Sequence, residues 1–203
     1  MSASRDRIFA DIKAALAPLP QRVHRPEVPH GVADARWLHG EETTSELFLK
    51  RARTAGTVCF VSAEECVSWL TSRQIKKLYI PAALTEMVAF FSKAVDVTTT
   101  YRRDQVNEID ASLTPAAGAI AESGTIILTD ASSPDRLAEL APWTHIAIVR
   151  KESIHRSIAD AIGCMPDDPN IIWVTGPSKT ADVEGILIQG VHGPGIQGCL
   201  LVE

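Results

Sequence analysis

With 203 residues, the chain suits one domain plus an N-terminal appendage, and folding would bury roughly 70% of its unfolded surface without disulfide or metal staples. A composition of 45% apolar and 22% charged residues excludes a disordered protein. Twenty basic residues against twenty-five acidic ones, a net charge of −5, disfavour nucleic-acid binding, which requires a basic face.

No apolar run approaches the roughly 18 residues that cross a bilayer, so no membrane span is expected. Arg5, Asp6, Arg7, Asp11 and Lys13 interrupt the apolar residues of the opening segment, a pattern that a secretory signal does not tolerate. Cys59, Cys66, Cys164 and Cys199 form no CxxC pair. They read as buried thiols in a reducing cytoplasm, and neither as a disulfide framework nor as iron–sulfur ligands.

Residues 1–44 read as a helix followed by a proline-rich arm. Ile8, Phe9, Ile12, Ala15 and Leu16 recur at helical spacing behind Ser4 as a cap. Pro18, Pro20, Pro26 and Pro29 then rule out regular structure. The arm either packs on the domain or a neighbouring chain, or is a tail. From residue 45 an α/β domain is expected to run to residue 203. Thr44 or Ser45 caps a helix ending near Gly56, and residues 57–61 form a buried strand. Ser62 and Glu65 have capping-box spacing, opening a helix to about residue 72. A strand over 76–80, a helix over 84–94 and a β-branched strand over 95–100 follow. Thr114-Pro115 reads as a cap with proline at the first helical position, giving a short helix to Glu122. Strands are expected at 125–129, 146–150, 171–175, 185–189 and 197–202, with a helix over 152–162. Such alternation, with near-continuous Val/Ile runs, is the mark of a mostly parallel sheet in a three-layer α/β fold, with a mixed sheet or added layer in the second half.

Three segments carry candidate chemistry, and ligands in this fold class gather where loops leave the carboxyl ends of strands. In Glu122-Ser123-Gly124-Thr125, Gly124 permits a tight turn beside a ligand, and Glu122 could act as base, nucleophile or anchor. Alternatively Gly124 ends a helix and Glu122 is solvated. The loop from Gly176 through Ser178, Lys179 and Thr180 offers hydroxyls, a cation and backbone amides to a phosphate or carboxylate. It is no nucleotide P-loop, since the glycines that motif needs are absent. Asp182 and Glu184 orient Lys179 or a histidine, and without a nearby histidine they make a poor metal site. In Gly190-Val191-His192-Gly193-Pro194, His192 is an acid–base candidate, with a plain turn as the alternative. His145 and His155 read as structural, in a strand and a helix. No metal site is expected, and the GxSxG, HExxH and GxGxxG patterns are all absent.

Residues Leu113 to Thr125, then Trp143-Thr144-His145-Ile146, then the Gly176–Glu184 loop, then the Gly190–Pro194 turn, together resemble the LUD domain of the lactate utilization protein C family in order and separation. The resemblance is close over roughly residues 105–203; the N-terminal half shares only the α/β pattern. Ser123, Lys179 and Val183 stand where the family more often has Thr, Arg and Ile. Lysine keeps the charge and loses the planar fork of arginine. The resemblance implies a fold like that of ribose-5-phosphate isomerase, glucosamine-6-phosphate deaminase and the CoA-transferases, some of which use a glutamate nucleophile. It also implies a non-redox component of a system oxidising lactate to pyruvate, with iron–sulfur clusters in partner proteins and none in this chain. In that reading Gly124, Thr125, Gly176, Ser178, Lys179, Thr180, Asp182, Glu184 and Gly193 surround a small anionic metabolite, with Glu122 and His192 as acid–base groups. The alternatives are an independent isomerase, CoA or acyl transferase or folate-type ligase of this fold, and an assembly factor without turnover. Homo-oligomerisation is compatible with each.

Overall fold

The computed structural model describes residues 2–17, 40–133, 135–165, 167–181 and 186–203. The chain forms two compact units, Met1–Arg36 and Trp37–Glu203. In the first, helix α1 (Ser2–Leu16) exposes Ile8, Phe9 and Ile12. It begins two residues before Ser4, so that serine lies inside the helix and does not cap it. The proline-rich stretch falls outside the described residues.

In the second unit, α2 (Thr44–Thr54) is opened by Thr43, one residue before the expected cap. The Thr43 side chain accepts from Glu46 N, while the Glu46 carboxylate accepts from Thr43 N at 2.8 Å, closing a reciprocal capping box. Strand β1 (Val58–Phe60) leads to α3 (Ala63–Ser72), whose cap is Ser62, as expected. Glu65 reaches back to Val61 N instead of Ser62 N. Then come β2 (Lys77–Tyr79), α4 (Thr85–Phe91) and β3 (Asp96–Thr98), each close to its expected place.

Residues 114–122 depart from expectation: they are strands β4 (Ala111–Pro115) and β5 (Gly118–Ile120), not a helix. Strand β4 lies between β2 and β7 (Thr144–Arg150) in the sheet interior, where backbone groups must pair across strands. Pro115 ends the strand, so its missing N–H leaves no gap in the ladder. Strand β6 (Thr125–Thr129) follows as read, and a short helix α5 (Arg136–Leu140) that the pattern did not disclose comes next. The expected helix over 152–162 is a 3₁₀ turn, strand β8 (Ile154–His155) and α6 (Ile158–Gly163). His155 is therefore a strand residue, and Ser157 and Asp160 form the capping box that starts the helix. Strand β9 (Ile171–Val174) and the hairpin β10 (Lys179–Ala181) and β11 (Leu187–Gln189) precede β12 (Ile196–Val202).

The main sheet is six-stranded and wholly parallel, in the order β1-β12-β7-β4-β2-β3. A mixed sheet, β8-β5-β6-β9, and the β10–β11 hairpin supply the second layer of strands. On one face of the main sheet, Phe60, Leu78, Leu113, Ile146, Ile148 and Leu200 pack with Cys66 and Leu70 of α3 and Phe91 of α4, the apolar contact that holds a parallel sheet. Alternation sends the next residue of each strand to the opposite face. There Ser112 donates to the Ala138 carbonyl of α5. Cys66 and Cys199 are buried, but Cys59 is half-buried in the edge strand β1 and Cys164 is exposed where α6 ends at the surface; the expectation of four buried thiols is corrected at both. Burial pushes the Cys66 thiol up to about 12. No described helix is long and apolar enough to cross a membrane.

Candidate functional site

The register of three neighbouring strands builds a polar row. Ser112 of β4 pairs with His145 of β7, which pairs with Gln197 of β12, and all three are buried. Gln197 Nε2 donates to the Gly198 carbonyl at 2.9 Å, so its Oε1 is the acceptor for His145 Nδ1–H at 3.2 Å. His145 Nε2 is then left to accept from the Thr114 hydroxyl at 2.9 Å. Complete burial pushes the imidazole down to about 4, with the Gln197 hydrogen bond opposing. His145 is thus a neutral, fully bonded spacer that fixes the Gln197 amide, in keeping with its structural reading.

Gln197 forms one wall of a cleft of about 200 Å³, with Glu139, Trp173, Thr175, Ser178 and His192 among the other lining residues. Gly176 and Gly193 line it as well. It shares Gly193 with a neighbouring cleft of about 410 Å³ beside Trp143. Two glycines make this architecture feasible. A Cβ on Gly176 (φ +76°) would lie 2.2 Å from the Ala55 carbonyl, and one on Gly195 would lie 2.4 Å from the Trp143 ring. The hairpin is tied to the glycine turn by Ser178 N donating to the Pro194 carbonyl at 2.9 Å and Gly190 N to the Ser178 carbonyl at 3.0 Å.

The cleft opens at the amino-terminal end of β12 and the carboxyl end of the antiparallel strand β9, not at the carboxyl ends of the parallel strands, where ligand loops were expected. The reason is connectivity. The segment after β9 runs through the β10–β11 hairpin directly into the start of β12, so its glycine and hydroxyl residues must lie at that end. Clefts of about 340 and 300 Å³ do open at the carboxyl ends, but they gather none of the candidate site residues.

Glu139 is 1% exposed, both its carboxylate oxygens are buried, and the buried Ser133 hydroxyl lies beside them. Burial pushes its carboxyl up to about 7. Ser133 and Arg136 pull it back, and Asp130 and Asp135 add to the rise. Such a group is poised to hold or release a proton near neutrality. Nothing in its spacing within Arg136-Leu137-Ala138-Glu139-Leu140 marks it; a lone acid among apolar neighbours was the only signal.

Of the residues anticipated from sequence, Gly176, Ser178, His192 and Gly193 meet in this cleft. Thr125 stands one hydroxyl behind it, 2.7 Å from the Thr175 hydroxyl and 2.6 Å from that of Ser123. Lys179 is exposed on β10 with its Nζ beside Gly56, and Thr180 pairs with Ile188; neither lines the cleft. Asp182 and Glu184 fall outside the described residues. Gly124 (φ +69°) is packed against α2, where a Cβ would meet Ala52 N at 2.3 Å. Glu122 also lies away from the cleft. Its Oε2 accepts from Ile158 N at 2.7 Å, at the first turn of α6, where a negative charge is favoured. Glu122→Gln is therefore expected to lower stability by about 1 kcal/mol, read as a fall of about 2–4 °C in Tm.

The LUD domain model matches residues 32–202. Lactate utilization protein C of Deinococcus radiodurans is 35% identical over 95 residues, covering 44% of this chain and 45% of that one. Its namesake in Bacillus subtilis is 38% identical over 92 residues, covering 41% and 38%. That of Macrococcus caseolyticus is 41% identical over 83 residues, covering 37% and 36%. The matched stretch is thus less than half the length of each of these curated relatives. A crystal structure of a DUF162 family protein from Deinococcus radiodurans, 24% identical, superposes with a TM-score of 0.58 over 80% of this chain and 99% of that one, and shares the fold. The family model spans the main sheet, the second layer of strands and the cleft between them: the chain belongs to the LUD domain family.

Proposed function

We propose that this chain is a non-redox component of a lactate-utilising system, and that the cleft beside β12 holds a small carboxylate metabolite. The observation that carries the reading is convergence. Separate stretches of sequence line one cleft, Thr175, Gly176 and Ser178, then His192 to Pro194, then Gln197, with Thr125 hydrogen-bonded behind Thr175 and His145 and Thr114 behind Gln197. In this reading Ser178 and His192 contact the metabolite, and the Gln197–His145–Thr114 chain holds the wall rigid. Glu122 serves α6 and does not react. The relatives named lactate utilization protein C supply the pathway. Electrons are handled by iron–sulfur partner proteins, and the system works in the cytoplasm.

A second reading has its own support. His192 and the buried acid Glu139 share one cleft within a single chain, which is an acid–base pair that an independent enzyme of this fold could use. One experiment separates the two. Lactate-dependent dye reduction is measured in a system reconstituted with two iron–sulfur partners, with and without this chain. The component reading expects activity to fall at least tenfold on omission and to return with wild-type protein but not with His192→Ala. Unchanged activity on omission would sink it and leave the independent enzyme or an assembly role.

A further inference from the structure

We infer that Trp143 is a stacking platform: the cleft of about 410 Å³ beside it takes a planar nitrogen heterocycle, with the ring on the indole and its N–H edge on Asp110 and Asn107. This goes beyond the carboxylate reading of the smaller cleft and does not depend on it. Trp143, the residue before β7, is 56% exposed. An indole left open in this way forgoes much of the apolar burial that its size offers. Yet the residue is firmly placed. Its carbonyl accepts from Ile196 N at 2.9 Å, and the glycine turn closes on its six-membered ring. A Cβ on Gly190 would stand 2.3 Å from one ring carbon, and a Cβ on Gly195 would stand 2.4 Å from another. Bare backbone therefore packs on the ring while more than half of the residue stays open. A ring held in this way has little freedom left to lose when a ligand stacks on it, which is the condition for a preorganised contact.

The other lining residues select the kind of ring. Val106 and Ile109 supply apolar wall. Neither lysine nor arginine lines the cleft, so nothing there grips a phosphate or carboxylate. Its one charged lining residue is Asp110. Asp110 Oδ2 accepts from Lys76 N and Lys77 N, both at 2.9 Å, which orients the carboxylate. Among the described residues no hydrogen bond uses its Oδ1. Asn107, on the 3₁₀ turn Arg103–Glu108, is exposed, and its amide is likewise unbonded among the described residues. A carboxylate oxygen only accepts, whereas a carboxamide both donates and accepts. Together they complement a ring N–H that lies beside a ring carbonyl or amino group. A volume of about 410 Å³ falls within the roughly 300–1,000 Å³ of small-molecule sites, room enough for a fused ring and a sugar.

The test is calorimetric titration of the full chain with guanosine and inosine, both fused rings with an N–H beside a carbonyl, and with ribose as the ring-free control. Both nucleosides are expected to bind with a Kd below about 1 mM and to quench tryptophan fluorescence, and ribose to do neither. Trp143→Ala should weaken nucleoside binding at least about fivefold. Trp143→Phe keeps an aromatic face, so affinity should hold within about threefold while the quenching falls by more than half. Asn107→Ala should weaken binding about threefold or more. Trp173→Phe, whose indole lines the smaller cleft, should leave affinity and quenching level. Absence of binding by both nucleosides, equal affinity in wild type and Trp143→Ala, or ribose binding as tightly as the nucleosides would overturn the inference. Should Trp143→Ala not fold, the Trp143→Phe quenching and the Asn107→Ala affinity decide. None of these outcomes bears on lactate-dependent dye reduction, so the carboxylate reading stands or falls separately.

Discussion

Gly124→Ala is expected to remove about 3–5 kcal/mol of stability, the sum of a left-handed backbone forced on a residue with a side chain and a steric clash with immovable atoms. The first part follows from φ +69°, a conformation in which a Cβ is strained. The second follows from the surroundings: the new methyl would stand 2.3 Å from Ala52 N, 2.5 Å from Arg51 C and 2.7 Å from Ala52 Cα. These are backbone atoms in the last turn of α2, and they cannot rotate aside as the tip of a flexible side chain would. Relief would require α2 to lift off the β5–β6 turn, exposing Leu47, Phe48 and Ala52, which are fully or almost fully buried. For a chain of this size the loss corresponds to a fall in Tm of about 10 °C or more. Gly163→Ala is the matched control. It lies in α6 with open space around its Cβ position, and it is expected to shift stability by less than about 1 kcal/mol, towards stabilisation. Thermal melts of the two variants, showing equal and small effects, would refute the close packing of α2 on this turn.

Glu139→Gln should make stability rise more steeply between pH 4.5 and pH 7 than it does in the wild type. Two buried groups oppose each other there. His145 has an ordinary value of 6.5 and is pushed down to about 4 in the fold. As pH falls from 6.5 to 4 the unfolded chain takes up a proton that the folded one does not, so stability drops. Over the whole interval the drop is about 3 kcal/mol. Glu139 has an ordinary value of 4.5 and is pushed up to about 7. As pH rises from 4.5 to 7 the unfolded chain loses a proton that the folded one keeps, so stability again drops, by about 3 kcal/mol. Across their shared window the two slopes oppose each other. Glutamine removes the second and leaves the first. Urea unfolding at several pH values should show the variant gaining on wild type by about 3 kcal/mol between pH 4.5 and pH 7. A constant difference between the two proteins would mean that Glu139 does not keep its proton in the fold.

These two predictions draw on different levels of information. The turn glycine is visible in the sequence, because Gly124 sits between a short apolar segment and a β-branched strand where only a tight reversal fits. What it packs against is not visible. The same holds for His192 and Ser178, which the glycine- and hydroxyl-rich loops advertise. Lys179 was equally conspicuous, yet β10 pairing carries it to the outer side. Glu139 was inconspicuous and lines the cleft, because its role comes from burial that α5 acquires only by docking on β4 and β7.

Local signals suffice for the α/β alternation, the Ser62 cap and most strand positions, since caps and periodicity act over a few residues. They misread residues 114–122 as a helix because Thr-Pro followed by Ala and Gly is a sound helix start in isolation. Pairing with β7, some thirty residues onward, overrides it. The site depends on the same long-range term. Thr114 and His145 are 31 residues apart, and His145 and Gln197 are 52 apart. By itself the sequence determined where most strands form and which loops carry the glycines, hydroxyls and His192. Only the order and register of β4, β7 and β12 decided that this chemistry meets at the amino end of the sheet, around a buried acid, because strand pairing is set by burial across the whole core and not by neighbours along the chain.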